Sequence, residues 1–154
     1  MNEPLIQFNP KLPRLSKSES KVLKLLIEAG KLIAPIYLEQ EKQANLGINR
    51  KEIEEAAKKD PAILSPYTVV EKINGKLVAT ANHKKYKVLL KPIAEKLEEA
   101  ASRTDNQEFG RALKVQVKAL LTGSYDQATA AWLKIKPYIL DISIGPLRHF
   151  DDQL

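Results

Sequence analysis

The chain contains no cysteine. Disulfides, iron–sulfur clusters, thiolate zinc sites and cysteine nucleophiles are therefore excluded together. Histidine is almost as scarce: His83 and His149 are the only two, and they do not lie one helical turn apart. A helical zinc site of the H-E-x-x-H type needs that spacing, so this sequence carries none. Glycine is thin as well, with six residues in 154. No Walker loop, G-x-G-x-x-G fingerprint or G-x-S-x-G elbow occurs, so a phosphate cradle and a serine-nucleophile turn both lack material. Ser65, Ser124 and Ser143 have no base nearby in sequence. No apolar run approaches the ~20 residues a membrane helix needs. The stretch 1–14 holds three prolines, an acid and amides but no apolar core of a signal peptide. Residues 1–15 are expected to form an extended arm. Aromatics are few too, and Tyr37, Tyr86, Phe109 and Trp132 fall mostly on apolar stripes, where core packing is expected rather than base stacking.

Charge is abundant by contrast. The formal net charge is +6. Lysines alternate with glutamates, as in Lys51-Glu52-Ile53-Glu54-Glu55 and Glu95-Lys96-Leu97-Glu98-Glu99. That pattern describes a solvated helix face with (i, i+4) pairs. Neither nucleic acid nor a membrane is the expected partner, and a cytoplasmic location is expected.

Helical periodicity dominates. Ser16-Lys17-Ser18-Glu19 has the spacing of a capping box. Val22, Leu26, Ala29, Ile33, Ile36 and Tyr37 then recur at steps of three and four, so a helix is expected to about Ala44, kinked at Pro35. A short helix capped by Asn49 should end at Asp60-Pro61. From Asn82 a further stripe runs through Tyr86, Leu90, Ile93 and Leu97, with a kink or fresh start expected at Pro92. Phe109, Leu113, Val117 and Leu120 mark another helix, which Gly123 should stop. Ser124-Tyr125-Asp126-Gln127 repeats the capping-box spacing before a short helix through Trp132.

Two stretches read as β-structure. Residues 67–80 hold Asn74-Gly75 between runs of β-formers, the strongest short-range hairpin signal. Residues 138–144 alternate: Leu140, Ile142 and Ile144 on one face, Asp141 and Ser143 on the other. The expected fold class is α+β and predominantly helical. Several long helices pack with a small sheet made of the 67–80 hairpin and a strand at 138–144.

That last strand runs into Ile144-Gly145-Pro146-Leu147-Arg148-His149-Phe150-Asp151-Asp152. Strand ends and the loops after them commonly carry function. Asp141, Asp151 and Asp152 could do acid–base work in principle, and His149 with Asp151 and Asp152 could offer a few metal ligands. Surface charges and a solvated tail are the readings favoured here, with no metal site on this chain.

Ser65-Pro66-Tyr67-Thr68-Val69-Val70, then the hairpin, then two long helices ending in Ala119-Leu120-Leu121-Thr122-Gly123-Ser124-Tyr125, then Trp132, then Ile142-Ser143-Ile144-Gly145-Pro146 form an ordered series. It resembles the N-terminal half of bacterial proteins similar to dipeptidyl peptidase III, over residues 18–154. The resemblance implies a two-lobed zinc metallopeptidase with a substrate cleft. On it, residues 16–154 are one mostly helical domain, expected to be a fragment of that larger fold. The family's zinc motif, H-E-x-x-G-H or a close variant, lies C-terminal to the I-G-P segment and is absent from this sequence. No zinc ligand or catalytic residue is therefore carried over, and zinc belongs to the full-length family. The segment after I-G-P lies toward the cleft in the family, which makes Gly145, Pro146, Arg148 and Asp152 the candidate substrate-binding residues. Arg148 stands where the family has Glu and Phe150 where it has Tyr, while Asp152 matches an acidic position. The expected function is a non-catalytic scaffold and cleft wall, inactive alone as a peptidase. Its expected partners are a peptide substrate or the missing C-terminal half. The alternative is a stand-alone helical interaction module that pairs, with itself or a partner, through an exposed C-terminal strand.

Overall fold

In the computed structural model of the chain, which describes residues 11, 13–44 and 47–146, the first helix begins at a reciprocal cap. The Glu19 amide donates to Ser16 Oγ at 3.0 Å, and the Ser16 amide donates to Glu19 Oε2 at 2.7 Å. Two of the donors orphaned at a helix start are satisfied this way. Helix α1 (Lys17–Ala44) then runs through Pro35 as one element. Helix α2 (Arg50–Lys59) is capped by Asn49, whose Oδ1 accepts from the Glu52 amide at 2.9 Å. Asp60 ends it and caps in turn a 3-10 turn, Pro61–Leu64.

The hairpin forms where the Asn-Gly pair places it. Strands β1 (Thr68–Ile73) and β2 (Lys76–Ala81) pair antiparallel, with Thr68 opposite Ala81 and Ile73 opposite Lys76. Asn74 and Gly75 both take positive φ, 50° and 75°, as a tight turn of this hand requires.

After the hairpin the chain makes one helical turn, α3 (Asn82–Lys85), bends at Tyr86, and continues as α4 (Lys87–Arg103). The break thus comes at Tyr86 and not at the expected Pro92, which lies inside α4. Pro92 cannot donate to the Val88 carbonyl. Val88 is 84% exposed, so water can take that acceptor. Helix α5 (Gln107–Thr122) is capped by Asn106, whose Oδ1 accepts from the Phe109 amide. The expected second capping box does not form. Helix α6 (Asp126–Trp132) has Tyr125 at its cap position with no side-chain cap bond, because that tyrosine is buried and stacked on Tyr67.

Helix α4 is the middle layer of the fold. Leu90, Ile93, Leu97 and Ala100 are fully buried on it, between Val22, Leu26, Ala29 and Ile36 of α1 and Phe109, Leu113 and Leu120 of α5. Each large apolar side chain so buried stabilises by about 1.5–3 kcal/mol. Lys96 reaches across to α1 and donates to Glu28 at 2.6 Å, rather than pairing along its own helix. That bond holds the Glu28 carboxyl below its usual range and raises Lys96. Two of the four aromatics expected in the core are not in it: Tyr37 is 55% and Trp132 45% exposed. Among the described residues no helix is long and apolar enough to cross a membrane.

The fold is predominantly helical α+β, with six α-helices and one two-stranded sheet among the described residues. The expected third strand is corrected too. Residues 138–144 form no strand, and the sheet stops at two. The alternation itself holds: Leu140 and Ile144 are buried while Asp141 and Ser143 are exposed. Alternation reports an extended chain with one face inside, whatever partner its backbone finds. Here the partners are side chains, described below.

Gly123 ends α5 at φ 77°, and a Cβ there would collide with the His83 ring. Gly123→Ala should therefore lower stability by about 1–2 kcal/mol from the left-handed backbone alone, plus the cost of moving His83. Chemical denaturation of that variant in wild-type and His83→Ala backgrounds separates the two contributions.

Candidate functional site

Residues 138–146 are held by amide side chains. Gln116 of α5 donates through Nε2 to the Ile144 carbonyl. Gln40 of α1 donates through Nε2 to the Pro146 carbonyl at 3.2 Å. Asn82, at the start of α3, donates through Nδ2 to the same Pro146 carbonyl and to the Pro66 carbonyl, while its backbone N–H donates to Tyr67 O at 2.8 Å. Both groups facing the Asn82 amide are carbonyls, so the NH₂ must point toward them. Its Oδ1 is buried with no partner among the described residues. Leu140 and Ile144 sink into the main core, and Tyr138 tilts against Phe109 with ring centroids 5.2 Å apart.

This docking encloses a groove. Helices α5 and α6 and residues 135–144 surround a cavity of about 240 Å³. Phe109, Leu113, Ile135, Ile142 and Ile144 supply apolar wall, and Gln116, Thr129 and Ser143 supply polar atoms. At one end Tyr67 stacks on Tyr125, with centroids 5.3 Å apart and rings 8° from parallel. At the rim the Trp132 indole donates through Nε1 to Asp141 Oδ1 at 2.7 Å, and the same oxygen accepts the Ile142 amide. The Tyr125 hydroxyl is buried with no partner among the described residues. Burial pushes it up to about 12, with the Tyr67 hydroxyl adding to the effect. Tyr86, also buried and unpartnered at its hydroxyl, is pushed up to about 12 by burial and then by the negative charges of Glu39 and Glu71.

The sequence-expected site divides. Gly145 is half-buried; Pro146 is fully buried with its carbonyl taken by two amides, so Pro146 anchors the segment here. Arg148 and Asp152 lie outside the described residues, as do His149 and Asp151 and the expected arm over residues 1–10. His83 packs its ring against Gly123. Among the described residues no group of three or more His, Asp or Glu side chains could hold a metal ion, so these residues do not fit a zinc site. Of the residues that build the groove and its clasp, Gln40 and Gln116 went unmarked in the sequence, while Asn82 and Tyr125 were read only as part of helix starts and motifs. Each is a single polar or aromatic residue in a helical pattern, and nothing local signals a carbonyl arriving from 28 to 106 positions away.

Removing the Asn82 side chain strips one donor from Pro146 and one from Pro66. Asn82→Ala should cost about 2–3 kcal/mol, and Asn82→Asp more, because it sets a carboxylate against two carbonyls. Denaturant unfolding checks both. The raised tyrosines give a pH signature as well. A phenol whose folded-state value lies above its unfolded value of about 10 gives stability that is intact below pH 10. That stability falls as pH rises from about 10 to about 12. Phenolate absorbance should show Tyr86 and Tyr125 ionising late, and Tyr86→Phe and Tyr125→Phe should each remove one late step.

No protein-family model matches the chain, and no curated protein matches it. Among solved structures, its fold is similar to that of DPP III from Caldithrix abyssi, with a TM-score of 0.66 and 20% sequence identity. The match covers 80% of this chain and 34% of that one, so the chain spans about a third of the length of the structure it resembles. At that identity the likeness is one of fold.

Proposed function

We propose that this chain supplies the non-catalytic scaffold and one cleft wall of a zinc metallopeptidase similar to dipeptidyl peptidase III. The observation that carries the reading is the fold shared with DPP III from Caldithrix abyssi over 80% of this chain. The order of motifs from Ser65 to Pro146 supports it independently. So does the clasp on Ile144 and Pro146, which anchors the I-G-P segment of that series. On this reading those two residues, with Gly145 and Pro146, border a peptide substrate. Zinc and the groups that activate water belong to the C-terminal part of that fold, which bears H-E-x-x-G-H, and the location is the cytoplasm.

The rival reading, a module that pairs through its final strand, has weaker support. Strand addition uses free carbonyls, and those of Ile144 and Pro146 are already taken by side-chain amides.

The chain alone, with added zinc, should release no arylamine from dipeptidyl-arylamides, since no described residues are grouped to hold the metal. Turnover that co-purifies with this chain and disappears with a chelator would sink the proposal. An H-E-x-x-G-H reading frame immediately downstream of the gene supports it, and so does recovery of activity when that half is supplied in trans.

A further inference from the structure

The tip of the hairpin carries a reactive pair that the fold uses only for its backbone. Asn74 is the one asparagine in the chain that glycine follows. The turn needs its backbone at φ 50°, but among the described residues its side chain makes no hydrogen bond. The other described asparagines are occupied. Asn49 and Asn106 each accept a backbone amide through Oδ1, and Asn82 donates to two carbonyls through Nδ2. Each of these stands at a helix start, where the next amide is held by the helix. At the tip, residues 73–76 are all exposed. Gly75 has no side chain to shield its nitrogen, and a Cβ built on it would meet no atom within 4 Å. Attack by that nitrogen on Asn74 Cγ needs the Asn74 backbone to swing out of its turn conformation. The Ile73–Lys76 pair alone closes the tip, in a sheet of two strands. An exposed end of this kind opens locally, at far less cost than global unfolding.

We propose that Asn74 is a site of spontaneous covalent modification. The Gly75 nitrogen bonds to Asn74 Cγ, the Cγ–Nδ2 bond breaks, and ammonia leaves with the proton from the Gly75 amide. Water then opens the resulting succinimide at either carbonyl, with no change of oxidation state. Opening at Cγ gives aspartate. Opening at the main-chain carbonyl gives isoaspartate, which adds one atom to the backbone. A two-residue turn of this hand depends on both residues at positive φ, so the isoaspartyl chain cannot close it, and no third strand holds the pair together. Either product places a carboxylate between Lys72 and Lys76. This inference is independent of the peptidase reading.

The full chain is aged at neutral and at mildly alkaline pH, digested, and its peptides are separated and weighed; isoaspartate is identified by enzymatic methylation of its carboxylate. Loss of the amide at Asn74 should outpace loss at Asn49, Asn82 and Asn106 by roughly tenfold or more. It should quicken as pH rises, because the attacking amide must lose its proton, and should yield isoaspartate beside aspartate. Loss no faster than at the three helix-start asparagines overturns the proposal. Aspartate without isoaspartate overturns it too, since that is direct hydrolysis without a ring. Asn74→Asp has the charge of the products with an ordinary backbone. Isoaspartyl chain purified from the aged sample should unfold at a lower denaturant concentration than this variant, and equal midpoints overturn the loss of the turn.

Discussion

One buried amide couples three stretches of backbone far apart in sequence. Asn82 joins the residues before β1, through Pro66 and Tyr67, to the end of the described chain, through Pro146, and itself begins the helical turn toward α4. It is the one buried residue of a polar or charged type among the described residues. A buried polar side chain is stabilising only when it is bonded. Two carbonyls satisfy its NH₂, while its Oδ1 stays orphaned among the described residues. Proline carbonyls are natural partners here. Pro66 and Pro146 sit where the chain cannot continue a ladder or a helix, so their acceptors would otherwise go unpaired on burial.

The clasp explains how an extended segment packs onto helices without joining a sheet. An extended chain with one buried face must still satisfy its backbone. Residues 138–146 do this with donors from α1, α3 and α5: Gln40, Asn82 and Gln116. Each donor also ties its own helix to the segment. The C-terminal stretch therefore bridges α1 and α5, the two helices that flank α4. A third strand on the hairpin would have tied it to β1 or β2 alone.

Much of the fold was legible because local rules act through near neighbours. The Ser16–Glu19 box, the Asn49 cap, the Asn74-Gly75 turn and the Gly123 stop each depend on residues within four positions, and each formed where the sequence placed it. The misreadings have a common cause. Tyr125 took a cap position that Ser124 was expected to hold, with its ring buried and stacked on Tyr67. Tyr86 ended a helix that Pro92 was expected to interrupt. Residues 138–144 showed the right alternation and the wrong partner. In each case a tertiary contact decided between local options that the sequence left nearly equal in energy. The groove was opaque for the same reason: its polar atoms gain meaning only once residues 135–144 close over α5 and α6.

Two buried hydroxyls carry the same cost, and in each the burial of the ring offsets it. Tyr86 and Tyr125 each lack a partner among the described residues. Each loses about 1–3 kcal/mol relative to a satisfied group. Tyr86 lies within the main core, facing the charges of Glu39 and Glu71, and its ring packs with Leu90 and Ile93. A phenylalanine would fill that space as well, so its hydroxyl is a local penalty outweighed by the burial of the ring. Tyr125 lines a cavity, beside a stacked Tyr67 that is 40% exposed. For Tyr125 the ring's stack on Tyr67 and its burial offset that cost in the same way.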